Sequence, residues 1–237
     1  MLTTIKESTS SCLTCHPLSK GFFCGAHHSP IKDIERNKSM RFYKKGKRIF
    51  SVDTPVLGLF CIQSGKVKIT HLNTEGKETL TQILSHGDIL GHQDFFTKST
   101  YTFSATALEN CSICFIDKDF IAAAIKSDTS LAMQIIKKIS AEMLDSEAKI
   151  YSMAHKSVRQ RLADILLNLA KNFGQQEGSR TKLNIKLSRD EIGSMIGTVN
   201  ETVTRFMTDF KDQGLITEEN KTIYLLDETK LRQMANF

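Results

Sequence analysis

The stretch Ser188–Gly214, SRDEIGSMIGTVNETVTRFMTDFKDQG, decides the fold. It reads as two short helices. Ser188-Arg189-Asp190-Glu191 opens the first and Thr198-Val199-Asn200-Glu201 the second. Both match a capping box, in which hydroxyl and carboxylate satisfy orphan backbone amides reciprocally. Gly197 between them suits a left-handed turn. The second helix, Val199–Asp212, stops at Gly214. Its apolar residues Val203, Phe206, Met207 and Phe210 can pack inward, leaving Asn200, Glu201, Thr204, Arg205 and Thr208 polar. ITEENKTIYLL then reads as a hairpin and DETKLRQM as a last short helix. Two helices, a tight turn and a hairpin describe a winged helix-turn-helix. Glu201 and Arg205, four apart, equally fit an ion pair on a solvated helix.

Upstream, VRQRLADILLNLAKNF places Leu162, Ile165, Leu166 and Leu169 on one helix face, and GQQEGSRT breaks the pattern. Asp128–His155 reads as one helix whose Ile136, Ile139, Met143, Ser146, Ile150 and Met153 fall at a and d heptad positions. So narrow a stripe is a seam between two helices. Its 28 residues would span roughly 42 Å at 1.5 Å per residue, more than a small domain can cover, which favours dimerisation over packing on its own roll. From Arg41 to Phe120, short β-rich runs alternate with glycine turns at Gly65, Gly76, Gly87 and Gly91, as in an antiparallel roll or barrel. Residues 1–30 show no helical stripe. The expected class is α+β: an arm (1–30), a β-roll (31–127), a dimerisation helix (128–156) and a winged helix (157–237).

At 237 residues the chain can bury a real core. Hydrophobic residues are 40% and charged residues 24%, ordinary for a globular protein. No apolar run approaches the roughly 18 residues of a membrane span, and Met1–Ser11 has no apolar core of a signal peptide. Six cysteines without an export signal point to a reducing, cytoplasmic setting, where clustered Cys more often means metal or redox chemistry. Net charge is +6, but residues 157–237 hold 12 Lys/Arg against 11 Asp/Glu, so overall charge makes no case for DNA binding there. No Ser/His/Asp order, phosphate-binding glycine loop or paired-carboxylate motif supports an enzyme.

The Ser188–Gly214 segment, with GLFCIQSGKVKI and HGDILG in the roll and the long helix between, resembles the Crp/Fnr family of bacterial transcription regulators. The resemblance covers nearly all of the chain beyond about residue 35. It implies a sensory β-roll, a dimer, a winged helix on a palindromic promoter site, and RNA polymerase as a partner. By that likeness Glu201, Thr204 and Arg205 match the base-reading set of the Fnr branch, with Asn200 beside them, and the half-site is expected to look like TTGAT. Arg205 can donate two hydrogen bonds to guanine, and Glu201 can accept from cytosine. Ser188, Arg189, Thr202 and Thr208 sit where phosphates are met.

For the signal, the resemblance offers two branches. The cyclic-nucleotide branch needs a Glu for the ribose and an Arg-Ser pair for the phosphate. Here His92 stands at the Glu position, and no arginine occurs between Arg48 and Arg159, so a cyclic nucleotide is not expected. The Fnr branch holds an oxygen-labile [4Fe-4S] cluster on three N-terminal cysteines and one from the roll, which carries over to Cys12, Cys15, Cys24 and Cys114. The Cys15–Cys24 gap is longer than in the best-known pattern. Zinc on the arm cysteines with His16, His27 or His28, a thiol switch, or haem on His71, His86 or His92 stand as alternatives. Cys61 and Cys111, in apolar strands, read as packed core thiols.

Overall fold

The computed structural model describes residues 34, 36–74 and 76–236; the arm and its Cys12, Cys15 and Cys24 lie outside them. Two compact units divide between Leu144 and Asp145, within one continuous helix.

The first unit is a β-roll. Its strands are β1 (Lys38–Tyr43), β2 (Arg48–Phe50), β3 (Gly58–Ser64), β4 (Val67–Leu72), β5 (Glu78–Leu84), β6 (Ile89–Leu90), β7 (Ser104–Ala107) and β8 (Cys111–Asp117). They form two antiparallel sheets, ordered β1-β8-β3-β6 and β2-β7-β4-β5. A short α1 (His92–Thr97) interrupts them, and α2 (Lys118–Ser127) and α3 (Thr129–His155) follow. Alternation along β8 sorts the two faces. Ile113 and Phe115 point into the roll with Phe60, Ile62, Val67 and Phe103, where Phe50 stacks on Tyr101 at 3.9 Å. Ile116 points the other way, packing with Leu59 and Ile89 against Ile121, Leu131 and Ile135 of α2 and α3. At Gly58 a Cβ would sit 2.1 Å from the Ile116 carbonyl, so the β3–β8 approach requires glycine. Asp128, read as the start of the long helix, is its cap: its carboxylate accepts from the Ser130 amide at 2.7 Å.

The second unit begins in the last turns of α3. It continues through α4 (Val158–Phe173), β9 (Gly174–Glu177), β10 (Arg180–Leu183), α5 (Arg189–Ile196), α6 (Asn200–Asp212), β11 (Ile216–Glu219), β12 (Thr222–Leu225) and α7 (Glu228–Asn236). The wing turns through Asn220 and Lys221, both at positive φ (51° and 62°), the type I′ geometry of a two-residue hairpin. Leu162, Leu166, Ile192, Val203, Phe210 and Leu231 are fully buried, each contributing roughly 1.5–3 kcal/mol against exposure.

The structure departs from the sequence pattern at two places. GQQEGSRT does more than break a helix: it folds into the β9–β10 hairpin, which joins the wing in a sheet ordered β11-β12-β10-β9. The second capping box does not form. Val199 is the N-cap of α6 and no side chain caps it, because the Thr198 amide is already bonded to the Gly193 carbonyl, closing α5.

Candidate nucleic-acid interface and sensory roll

The first capping box forms as read. The Ser188 hydroxyl accepts from the Glu191 amide at 3.1 Å, and the Glu191 carboxylate accepts from the Ser188 amide at 2.9 Å. Gly197 then reverses the chain at φ 66°, ψ 52°. Thus α6 starts in a fixed direction. Val203, Met207 and Phe210 are buried, which leaves Glu201, Thr204, Arg205 and Thr208 exposed on the opposite face at i, i+3, i+4 and i+7. Among the described residues no ion pair joins Glu201 to Arg205. The Arg205 guanidinium lies 5.0 Å from the Phe206 ring centroid, and its donors can turn outward.

Other residues on this surface have internal duties. Asn200 donates to the Asp190 carboxylate at 3.2 Å, and Thr208 to the Thr204 carbonyl at 3.1 Å. Thr202 is half-buried. Arg189 pairs with Glu218 of the wing at 2.6 Å, and Lys211 meets the same carboxylate at 2.7 Å. Burial alone would raise the Glu218 carboxyl; the bonds from Lys211 and Arg189 outweigh it and hold that carboxyl below its usual range.

A residue missed by sequence reasoning holds this region together. Arg161 of α4 donates from Nε to the Ile196 carbonyl at 2.8 Å and from Nη1 to Lys156 and Met153 carbonyls at 2.8 and 3.2 Å. These are orphan carbonyls at the ends of α3 and α5, where a cation also suits the helix dipole. Arg161 therefore ties the end of the long helix to the turn that launches α6.

In the roll, a small hollow partly open to solvent is lined by residues including Ile69, His71, Leu84, Gly91, His92 and Glu142. His92 is only 4% exposed. Its Nε2 lies 2.7 Å from the Glu142 carboxylate of α3, while its Nδ1 has no partner among the described residues. Gln93 donates to Glu142 at 3.0 Å, and Lys138 bridges Glu142 (3.4 Å) and Asp88 (3.3 Å). Burial would raise the Glu142 carboxyl, but His92, Gln93 and Lys138 hold it below its usual value. The position read as a ribose-binding Glu is thus occupied by a histidine tied to the long helix. His86 bonds the Gln63 carbonyl, and His71 stands 5.7 Å from Phe103.

Cys111 behaves as a core thiol. Its Sγ donates to the Lys66 and Glu109 carbonyls at 3.3 Å, and burial pushes the thiol up. Cys114 is buried on the opposite face of β8. It stands in one row with Met40 of β1, Cys61 of β3 and Ile89 of β6. Among the described residues no group of three or more His, Cys, Asp or Glu could hold a metal. Of the four cysteines carried over for a cluster, only Cys114 falls within them. It offers a soft thiolate donor of the kind iron–sulfur chemistry takes, so that one position fits.

Along α3 the heptad stripe is largely uncovered. Ile136, Met143 and Ile150 are 53%, 62% and 69% exposed, with Ile139 exposed and Met153 half-buried. Ser146, Lys149, Ile150, Met153 and Ala154 line an open, mostly apolar hollow.

Comparison with known proteins gives a consistent result for both units. Residues 40–128 match the cyclic nucleotide-binding domain and 160–234 the Crp-like helix-turn-helix domain. Electron transport regulator A of Shewanella oneidensis is 29% identical over 238 residues, covering 97% of this chain and 94% of that protein. The transcriptional activator protein anr of Pseudomonas aeruginosa is 29% identical over 239 residues, covering 99% and 98%. A cAMP-activated CRP-like global regulator of Mycobacterium tuberculosis is 27% identical over 215 residues, covering 91% and 96%. FixK2 of Bradyrhizobium japonicum superposes with a TM-score of 0.71 at 20% identity, over 83% of this chain and 96% of its own. A CooA variant of Carboxydothermus hydrogenoformans gives 0.72 at 22%, over 98% and 97%.

Proposed function

The chain belongs to the Crp/Fnr family of DNA-binding transcription regulators and is not an enzyme; from that premise we propose a cytoplasmic homodimer that reads an inverted-repeat operator with TTGAT-like half-sites and works with RNA polymerase. The observation that carries the DNA reading is the outward face of α6, where Glu201, Thr204 and Arg205 stand exposed in its first two turns, the part of a recognition helix that meets base edges. Asn200 flanks them. Ser188, Arg189, Thr202 and Thr208 border the same surface as phosphate contacts, with Arg189 exchanging Glu218 for phosphate. The uncovered stripe Ile136, Ile139, Met143, Ser146, Ile150 and Met153 supports a helix-to-helix seam.

The signal in this proposal is oxygen, redox state or nitric oxide, taken up through a [4Fe-4S] cluster on Cys12, Cys15, Cys24 and Cys114. Similarity to the transcriptional activator protein FnrA of Stutzerimonas stutzeri, 28% identical over 198 residues, supports this branch, and the absence of arginine from residues 49–158 weighs against a phosphate clamp. A bound cluster supplies oxygen-labile iron–sulfide chemistry. The chain's own part is to tie its arm to β8 through Cys114, biasing the dimer toward its DNA-competent arrangement. A small-ligand reading rests on the hollow beside His92 and Glu142.

Two experiments test this. Random-site selection with wild type and Arg205→Ala should enrich an inverted repeat whose preference at one guanine is relaxed in the variant; identical motifs would remove α6 as the base reader. Protein purified without oxygen should be brown with about four irons and four sulfides per chain. Serine at any of the four cysteines should abolish this, whereas Cys111→Ser should not; full iron in Cys114→Ser would overturn the ligand set.

A further inference from the structure

The register of β3 on β8 brings two thiols together that lie far apart in sequence. Cys61 and Cys114 are directly opposed Cα partners in this antiparallel pair, and both are thiols. Directly opposed residues share one sheet face and hold their Cα atoms roughly 4.5–5.5 Å apart. A disulfide spans Cα atoms about 4.4–6.8 Å apart, so the register holds the two cysteines within that span. Cys111, three residues from Cys114, cannot compete for Cys61. It points to the other face of β8, where its Sγ bonds two backbone carbonyls. Accessibility within the pair is unequal: Cys61 is half-buried and Cys114 buried. An oxidant therefore meets Cys61 first.

We propose that Cys61 and Cys114 form a cross-strand dithiol that a peroxide closes to a disulfide. The chemistry balances in two steps. The Cys61 thiol attacks the peroxide and becomes a sulfenic acid, and the peroxide leaves as alcohol or water. The Cys114 thiol then displaces hydroxide from that sulfur, forming the S–S bond and releasing water. Two thiols lose two electrons and two protons in all, and the peroxide takes them up. A cellular dithiol reverses the reaction by exchange. The consequence rests on the ligand set proposed above: while the disulfide is closed, Cys114 has no thiolate to offer a metal, so the roll refuses a new cluster until it is reduced.

Reduced full-length protein is desalted anaerobically, treated with hydrogen peroxide and digested with trypsin. The expected product joins peptide Ile49–Lys66 to Ser99–Lys118 and is two hydrogens lighter than their sum. Cys111→Ser should keep the link, and Cys61→Ser and Cys114→Ser should each lose it. No linked pair, or a link that persists in Cys114→Ser, overturns the inference. In a second arm the treated protein is offered iron and sulfide without reductant. Wild type should lose iron loading in proportion to linked peptide, Cys61→Ser should retain it at the same dose, and dithiothreitol should restore it. A link that leaves loading intact keeps the dithiol and removes Cys114 from the ligand set. Loading that falls equally in Cys61→Ser overturns the gating role.

Discussion

Replacing Arg161 by alanine tests whether one side chain joins the long helix to the DNA-reading turn. Its guanidinium makes three bonds of 2.8, 2.8 and 3.2 Å, all to helix-end carbonyls. A hydrogen bond to a charged group is worth about 1.5–3 kcal/mol net. The three share one half-buried side chain, and water can reach part of the space vacated, so the sum falls short of three full bonds. An expected loss of about 2–4 kcal/mol follows, and each kcal/mol lowers the melting temperature of a domain of 60–100 residues by roughly 4–8 °C. Scanning calorimetry of the intact chain should show one transition lowered by on the order of 10 °C or more and the other nearly unmoved. Arg161→Lys should recover less than half, because an ammonium cannot span three carbonyls in a fixed fork. Operator affinity should fall as well, since the turn before α6 loses its anchor. An Arg161→Ala transition within about 2 °C of wild type would refute the clamp as an energetic element.

Arg205→Ala should cost about 1–3 kcal/mol per half-site, read by titrating a labelled operator against single-base variants. Ile139→Glu or Ile150→Glu should give monomers by sedimentation, because a seam would bury two like charges without partners; an unchanged dimer would place the interface elsewhere. Glu218 adds a pH test. Its carboxyl is held below the ordinary glutamate range, so its contribution is present above that range and lost as pH falls through the lowered folded value. Glu218→Gln should thus be less stable at neutral pH and show a shallower loss of urea midpoint on acidification. Arg189→Ala leaves Glu218 with Lys211 alone, and its melting temperature should fall by a few degrees while the salt slope of operator binding drops by about one unit per half-site.

What was legible in the sequence is what is decided within a few residues. Ser188 and Glu191 cap each other across one turn, Gly197 supplies its own left-handed φ, and Asn220-Lys221 adopts the hairpin turn that its flanking strands demand. The burial of Val203, Met207 and Phe210 follows from helical period alone. Local pattern misleads where a distant partner decides the outcome. GQQE and RTKL have little β propensity of their own and become strands because Thr181 and Lys182 pair with Leu225 and Tyr224 of the wing. Thr198 looks like a cap until its amide is seen to be spent on Gly193. Arg161 reaches carbonyls up to 35 residues away, and His92 meets Glu142 across 50, separations at which no spacing rule operates. The cysteines divide in the same way. Cys111 and Cys114 are three apart in one strand, so pleat alone sends them to opposite faces, one into the core between the sheets and one, also buried, onto the face that packs against α2 and α3. Which thiol faces Cys114, however, is a property of register: a slip of one residue between β3 and β8 would set Phe60 or Ile62 there instead. Glycine at position 58 is compatible with that register, because a Cβ there would sit 2.1 Å from the Ile116 carbonyl. Gly58→Ala should therefore disturb the Cys61–Cys114 pairing along with the roll. Peroxide-linked Ile49–Lys66 and Ser99–Lys118 peptides should become scarce in that variant even where circular dichroism still reports a folded chain.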